Sequence, residues 1–117
     1  LRQNGIEVSV MTSENSALVA ARMKKLNIEN VYLEVKDKFA LLQHLSQSRN
    51  IEMSNIAYLG DDVNDMACMA KVGWSICPNN AMEEIKGISD IILISESGSG
   101  AIREACRFIN KYNKRYE

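Results

Sequence analysis

The stretch Ile56-Ala57-Tyr58-Leu59-Gly60-Asp61-Asp62-Val63-Asn64-Asp65 decides how the rest of the chain is read. Its first four residues are a short apolar run closed by a glycine, the pattern of a strand covered on both faces. The positions after Gly60 hold Asp61, Asp62, Asn64 and Asp65, three carboxylates and an amide in close succession. Gathering that much negative charge is costly unless a cation or ordered donors relieve it. Hard oxygen ligands of this kind suit Mg²⁺, which takes one or two carboxylates, keeps waters and uses substrate phosphate. The plainer account is a solvated acidic loop, with Asp62 or Asn64 capping a helix from about Asn64 to Val72. Ligands of open α/β sheets bind beyond the carboxyl ends of strands, and at that location the metal account is the stronger.

Outward from this loop, strands and helices alternate. Downstream, Trp74 to Cys77 reads as a strand, Pro78-Asn79-Asn80 as a turn, and Met82 to Lys86 as a short helix. Asp90 to Ile94 (DIILI) reads as the most buried strand, followed by a polar loop from Ser95 to Ser99. A last helix is predicted from about Gly100 to Lys111, with Ile102, Ala105, Cys106 and Ile109 on one face and a polar tail that frays. Upstream, Ile6 to Met11 is a strand. Ala17 to Leu26 is an amphipathic helix carrying Val19, Met23 and Leu26 on one face, with Lys24 and Lys25 at its dipole-favoured end. Val31 to Val35 is a second strand, and Asp37 can cap a helix running to about Arg49. This alternation with short connections predicts an α/β fold: a Rossmann-like parallel sheet with helices on both faces.

Composition excludes several function classes. The 117 residues suit one ordinary domain, and 46% hydrophobic with 25% charged residues is globular composition. Fourteen Lys+Arg against 15 Asp+Glu leave a formal charge of -1, with no electrostatic footprint for nucleic acid or an anionic membrane surface. No apolar run approaches the roughly 20 residues that span a bilayer. Cys68, Cys77 and Cys106 are an odd number with no close pair, neither a disulfide framework nor a zinc site. They read as small buried residues of a reducing, cytoplasmic compartment. The lone His44 lies within a helical pattern with no partners at metal-binding spacing.

Two other strand ends carry candidate chemistry. Thr12-Ser13 follows the first strand, where hydroxyls and backbone N–H groups at a helix start can hold an anion, or simply cap the helix. Val35-Lys36-Asp37-Lys38 follows the second strand. A lysine on a first helical turn opposes the helix dipole, and that oddity leans towards a phosphate-facing role for its ammonium. Gly98-Ser99-Gly100 is not a dinucleotide fingerprint, because Arg103 stands where the third glycine belongs, and the acidic loop is not an EF-hand.

Thr12, Lys38 and Gly60-Asp61-Asp62-Val63-Asn64-Asp65, in order after successive strands, resemble motifs two, three and four of the haloacid dehalogenase superfamily of phosphatases. Four segments sharpen the likeness: Val35–Lys38, Ala57–Asp62, Met69–Gly73 and Gly98–Glu104. They are similar to the capless phosphatases of sugar-acid biosynthesis, which act on 3-deoxy-manno-octulosonate 8-phosphate or on nonulosonate 9-phosphates. The resemblance implies hydrolysis of a phosphomonoester through an aspartyl phosphate, with Mg²⁺ as cofactor. It implies catalytic roles for Thr12, Lys38, Asp61 and Asp65, and phosphate binding by Thr12, Ser13 and Lys38. It implies metal ligation by Asp61, directly, and by Asp62, Asn64 and Asp65 through water or by orienting the loop. It further implies convergence of Thr12, Lys38 and Asp61 at one edge of the sheet, and a homo-oligomer, a tetramer in capless relatives.

The chain departs from the family pattern in three places. Ser13-Glu14 stands where Gly-Arg is common, and Ser97-Gly98-Ser99-Gly100-Ala101 has lost the arginine of the usual glycine-rich loop. No Asp-x-Asp occurs, although the family draws its nucleophile and general acid/base from such a pair on a central strand. The expectation is therefore one HAD-like domain over residues 1–117 that lacks its central strand, belongs to a longer polypeptide and turns over no phosphate by itself. The alternative from the same resemblance is a non-catalytic oligomerisation or regulatory C-terminal domain of an acylneuraminate cytidylyltransferase. A third reading, a flavodoxin- or receiver-type binding module, ranks last, since a receiver places its acidic pair after the first strand.

Overall fold

The computed structural model describes residues 6–12, 21, 23–25, 30–97 and 100–116. The chain divides into two compact units, Leu1–Lys38 and Phe39–Glu117.

In the first unit, strands β1 (Ser9–Met11) and β2 (Asn30–Tyr32) pair in parallel, with Val10 opposite Val31. The pairing runs on past the strands. The Thr12 N–H donates to the Tyr32 carbonyl at 3.0 Å, and the Val35 N–H to the Thr12 carbonyl at 2.9 Å. Residues 21 and 23–25 are helical and Met23 is buried, as the apolar spacing around it requires; Val19 and Leu26 lie outside the described residues.

Helix α1 (Lys38–Ser48) turns Leu42 inward and leaves His44 exposed. It ends in a Schellman arrangement: Asn50 adopts φ 54°, its N–H donates to the Gln47 carbonyl, and the Ile51 N–H donates to the Ser46 carbonyl at 2.9 Å. Asparagine is one of the few residues other than glycine that takes this left-handed position cheaply.

In the second unit, β3 (Ala57–Leu59), β4 (Trp74–Cys77) and β5 (Ile91–Ile92) form a parallel sheet in the order β3-β4-β5. Tyr58 stands opposite Ser75, and Ile76 opposite Ile91. Among the described residues the strands therefore make two sheets, β1-β2 and β3-β4-β5. Helices α2 (Met66–Met69) and α3 (Glu83–Ile88) occupy the two crossovers, and α4 (Ala101–Tyr116) follows β5. The core gathers Ile76, Leu93, Ala101 and Ala105, with Leu59, Ile91 and Ile109 packed against it. Ala101, Ala105 and Ile109 recur every four residues, so one stripe of α4 lies on the sheet. Phe108 meets Trp74 edge to face, with ring centroids 5.9 Å apart. The β4–β5 register is pinned by side chains: the Asp90 carboxylate accepts from the Ser75 N–H and hydroxyl, and the Ser75 hydroxyl also donates to the Ile88 carbonyl.

The structure corrects two expectations. The apolar run Asp90–Ile94 is not the most buried strand. The strand proper is Ile91–Ile92, and the Leu93 N–H still donates to the Cys77 carbonyl of β4 at 2.8 Å; Leu93 is buried and Ile94 is 87% exposed. Beyond Leu93 a carboxylate on another element takes the main chain: Glu104 of α4 accepts the N–H groups of Ile94 (3.1 Å) and Ser95 (2.8 Å). The last helix does not stop at Lys111 but continues to Tyr116. Lysine and arginine are good helix formers and favour a helix C-terminus, which outweighs the lack of apolar residues. Cys68 and Cys77 are buried free thiols; Cys106 is half-buried, its thiol pKa raised by that burial. No helix of the described residues is long and apolar enough to cross a membrane.

Candidate functional site

The acidic loop leaves the carboxyl end of β3 through Gly60, whose N–H donates to the Ile76 carbonyl at 3.0 Å. Gly60 has no room for a side chain. A Cβ there would lie 2.7 Å from the Asp65 Cβ and 2.9 Å from the Met69 sulfur. The space is taken because Asp65 folds back beneath the loop, 3% exposed. Its Oδ2 accepts the N–H groups of Asp61 (3.1 Å) and Asp62 (3.2 Å), and its Oδ1 accepts the Tyr58 hydroxyl at 2.6 Å. Burial, and after it the hydrogen bond to Asp65, push the Tyr58 phenol far above its ordinary range. In this environment the hydroxyl keeps its proton and acts as a donor at neutral pH.

The Asp62 carboxylate accepts the Val63 N–H at 2.6 Å, and Asp62 and Asp65 together form a capping box. That box opens a 3-10 turn, Val63–Asp65, ahead of α2, so helical structure begins one residue earlier than expected and is tighter at its start.

Asp61 is exposed, and its Oδ2 accepts the Ser97 hydroxyl at 3.2 Å. Two neighbouring loops support that contact. The Ser97 N–H donates to Asn80 Oδ1 at 2.8 Å, the Asn79 side-chain amide donates to the Leu93 carbonyl at 3.2 Å, and the Asn79 N–H donates to the Ser95 carbonyl at 2.9 Å. Asp61 is thus ringed by the loops after β3, β4 and β5. Glu104 steadies the last of them from α4, and its carboxyl is held below its ordinary value of 4.5 by the Ser95 N–H first and the Ile94 N–H second. Because its folded pKa is depressed, Glu104 contributes stability that is fully present above about 4.5 and lost as the pH falls through the folded value. Glu104→Gln is expected to flatten this acid limb of the melting temperature against pH; an acid limb unchanged from wild type contradicts the assignment.

The expected site residues fall into three groups. Asp61, Asp62, Asn64 and Asp65 lie on one loop but do not converge on one point: Asp62 caps the turn, Asp65 is committed to three donors, and Asn64 is exposed. Among the described residues no three acidic, histidine or cysteine side chains are gathered to hold a metal ion. Of the four, Asp61 and Asp62 are the exposed carboxylates; Asp62 is used in capping its own turn, and Asp61 meets the Ser97 hydroxyl. One exposed hard oxygen ligand fits a Mg²⁺ that would complete its shell with waters, phosphate oxygens and other protein groups. Thr12 follows β1 with both backbone groups bonded, and Lys38 is the first residue of α1, half-buried; both belong to the first unit. Ser13, Glu14, Gly98 and Ser99 lie outside the described residues. Sequence reasoning missed Tyr58, Asn79, Asn80, Ser97 and Glu104. For Asn79, Asn80 and Ser97 the available signal was position, since each follows a strand at its carboxyl end.

Parallel strands with helical crossovers, and an acidic loop at the carboxyl end of β3, define a scaffold of the α/β class. The chain belongs to the haloacid dehalogenase-like hydrolases, whose family model matches residues 9–105. It is 33% identical over 101 residues to the 3-deoxy-D-manno-octulosonate 8-phosphate phosphatase KdsC of Escherichia coli K12, covering 86% of this chain and 54% of that protein. The chain thus spans about half the length of such curated relatives. Among solved structures it is similar to the same phosphatase from Moraxella catarrhalis, solved with magnesium, phosphate and KDO. There the TM-score is 0.88 at 35% identity, over 94% of this chain and 63% of that one. It also matches the cobalt-bound phosphatase from Haemophilus influenzae with TM-score 0.87 at 27% identity, over 95% and 65% of the two chains.

Proposed function

We propose that this chain is the metal- and phosphate-facing part of a Mg²⁺-dependent phosphatase acting on a phosphorylated sugar acid of the 3-deoxy-D-manno-octulosonate 8-phosphate kind. The observation that carries the reading is the exposed Asp61 carboxylate, presented by a hydrogen-bonded loop at the end of β3 in a chain so similar to such phosphatases.

Phosphoryl transfer asks the protein mainly for positioning and charge stabilisation. Asp61 would hold Mg²⁺, which when bound supplies Lewis-acid neutralisation of the phosphoryl oxygens. The Thr12 hydroxyl would hydrogen-bond the transferring group, and the Lys38 ammonium would balance its charge. Asp65 keeps its place in this scheme by fixing the main chain of the loop. No Asp-x-Asp occurs among the 117 residues, and none of them is assigned the role of nucleophile.

The test is phosphate release by the full-length protein from 3-deoxy-D-manno-octulosonate 8-phosphate and a nonulosonate 9-phosphate. Release that stops on chelation and returns with Mg²⁺ is expected. No release from either substrate overturns the reading and leaves a non-catalytic domain.

A further inference from the structure

We propose that Tyr58 is a positioning residue of the metal site: its buried hydroxyl, through Asp65, sets the main chain that presents Asp61. The role in metal binding rests on the reading above; the clamp itself rests on geometry alone.

Tyr58 is the one polar-tipped side chain in the apolar run Ile56–Leu59. It sits mid-strand in β3 opposite Ser75, 9% exposed. A buried phenol needs a partner, and here it is the Asp65 carboxylate at 2.6 Å. The other oxygen of that carboxylate takes the N–H groups of Asp61 and Asp62. The connection therefore runs from the sheet, through two side chains, to the backbone of the residue whose carboxylate faces solvent. Asp65 reaches this place because residue 60 is glycine: its Cβ and Cγ fill the space that a side chain there would need. Cys68, fully buried, stands beside the same hydroxyl.

Removing the hydroxyl takes from that buried carboxylate oxygen its donor at 2.6 Å. The carboxylate then turns or draws in water, and its hold on the two N–H groups loosens. Partners that orient a metal ligand typically cost about 10–100-fold in metal affinity when lost. A purely structural tyrosine would lower stability and leave metal affinity alone.

Tyr58→Phe in the full-length protein separates the two. Calorimetric titration with Mg²⁺ alone is expected to show a Kd raised about tenfold or more, with cooperative thermal unfolding retained. Amide hydrogen exchange at Asp61 and Asp62 is expected to be slow in the wild type and faster in the variant. Raising Mg²⁺ is expected to recover part of any lost phosphate release. A variant that binds Mg²⁺ as tightly as wild type, with unchanged exchange at both amides, overturns the proposal. Should the variant fail to fold, the wild type decides alone: fast exchange at Asp61 and Asp62 overturns the clamp and slow exchange supports it. A wild type that binds Mg²⁺ but releases no phosphate sinks the phosphatase reading and leaves the Tyr58 comparison intact.

Discussion

Asp61→Asn in the full-length protein is expected to reduce Mg²⁺-dependent phosphate release by at least about a hundredfold, the usual loss when one transition-state charge stabiliser is removed. The substitution keeps the size of the side chain and one acceptor oxygen, so the Ser97 hydroxyl retains a partner. The Asp61 N–H that anchors the loop on Asp65 is untouched. Stability should therefore change little while Mg²⁺ affinity falls, which calorimetry with the metal alone would show. Asp62→Ala provides the contrast. Its oxygen caps a local turn, so its loss should show mainly in stability, at about 0.5–2 kcal/mol. Equal loss of activity from both variants would mean that the loop works as a diffuse acidic patch.

Gly73→Ala is expected to have the largest effect on stability. A Cβ at residue 73 would lie 2.0 Å from the Ser54 carbonyl oxygen and 2.7 Å from its carbon. Both are backbone atoms, so no side chain can swing aside. The Gly73 N–H meanwhile donates to the carbonyls of Met53 (3.0 Å) and Ile56 (3.1 Å), fastening the turn before β4 to the segment that leads into β3. Relieving the clash means parting those hydrogen bonds beside the two strands that carry the site. Overpacking costs about 1–3 kcal/mol, occasionally more, and this contact belongs at the upper end. A melting temperature lower by about 10 °C is the expected scale for a domain of this size. An unchanged melting temperature would show that Met53–Asn55 shifts freely and that this fastening contributes little.

What could be read from the sequence follows from the range of the interactions involved. β3 and β4 are apolar runs bounded by glycine, tryptophan and proline, and a local pattern places them; their order in the sheet follows from parallel crossovers. The acidic loop was legible because charge that dense after an apolar strand has few explanations. The exit from β5 was not. Leu93 and Ile94 look alike in sequence, yet one is buried and the other exposed, and the N–H groups of Ile94 and Ser95 go to Glu104, ten residues beyond Ile94. The support of Asp61 was hidden for the same reason: Ser97 lies 36 residues away from it. Asp65 was legible as important but not in its role. Only the fold shows that its oxygens face the strand and the loop's own backbone. Tyr58 disappeared into an apolar run, although a phenol at a buried strand position always raises the question of its partner.

The most direct test of the whole account is a crystal structure of the full-length protein with Mg²⁺ and phosphate bound. The account predicts an Asp61 carboxylate oxygen about 2.0–2.1 Å from an octahedral Mg²⁺, with Asp65 still joined to Tyr58 and to the N–H groups of Asp61 and Asp62. A Mg²⁺ bound elsewhere, or one reached by Asp65 after it has left Tyr58, would contradict it.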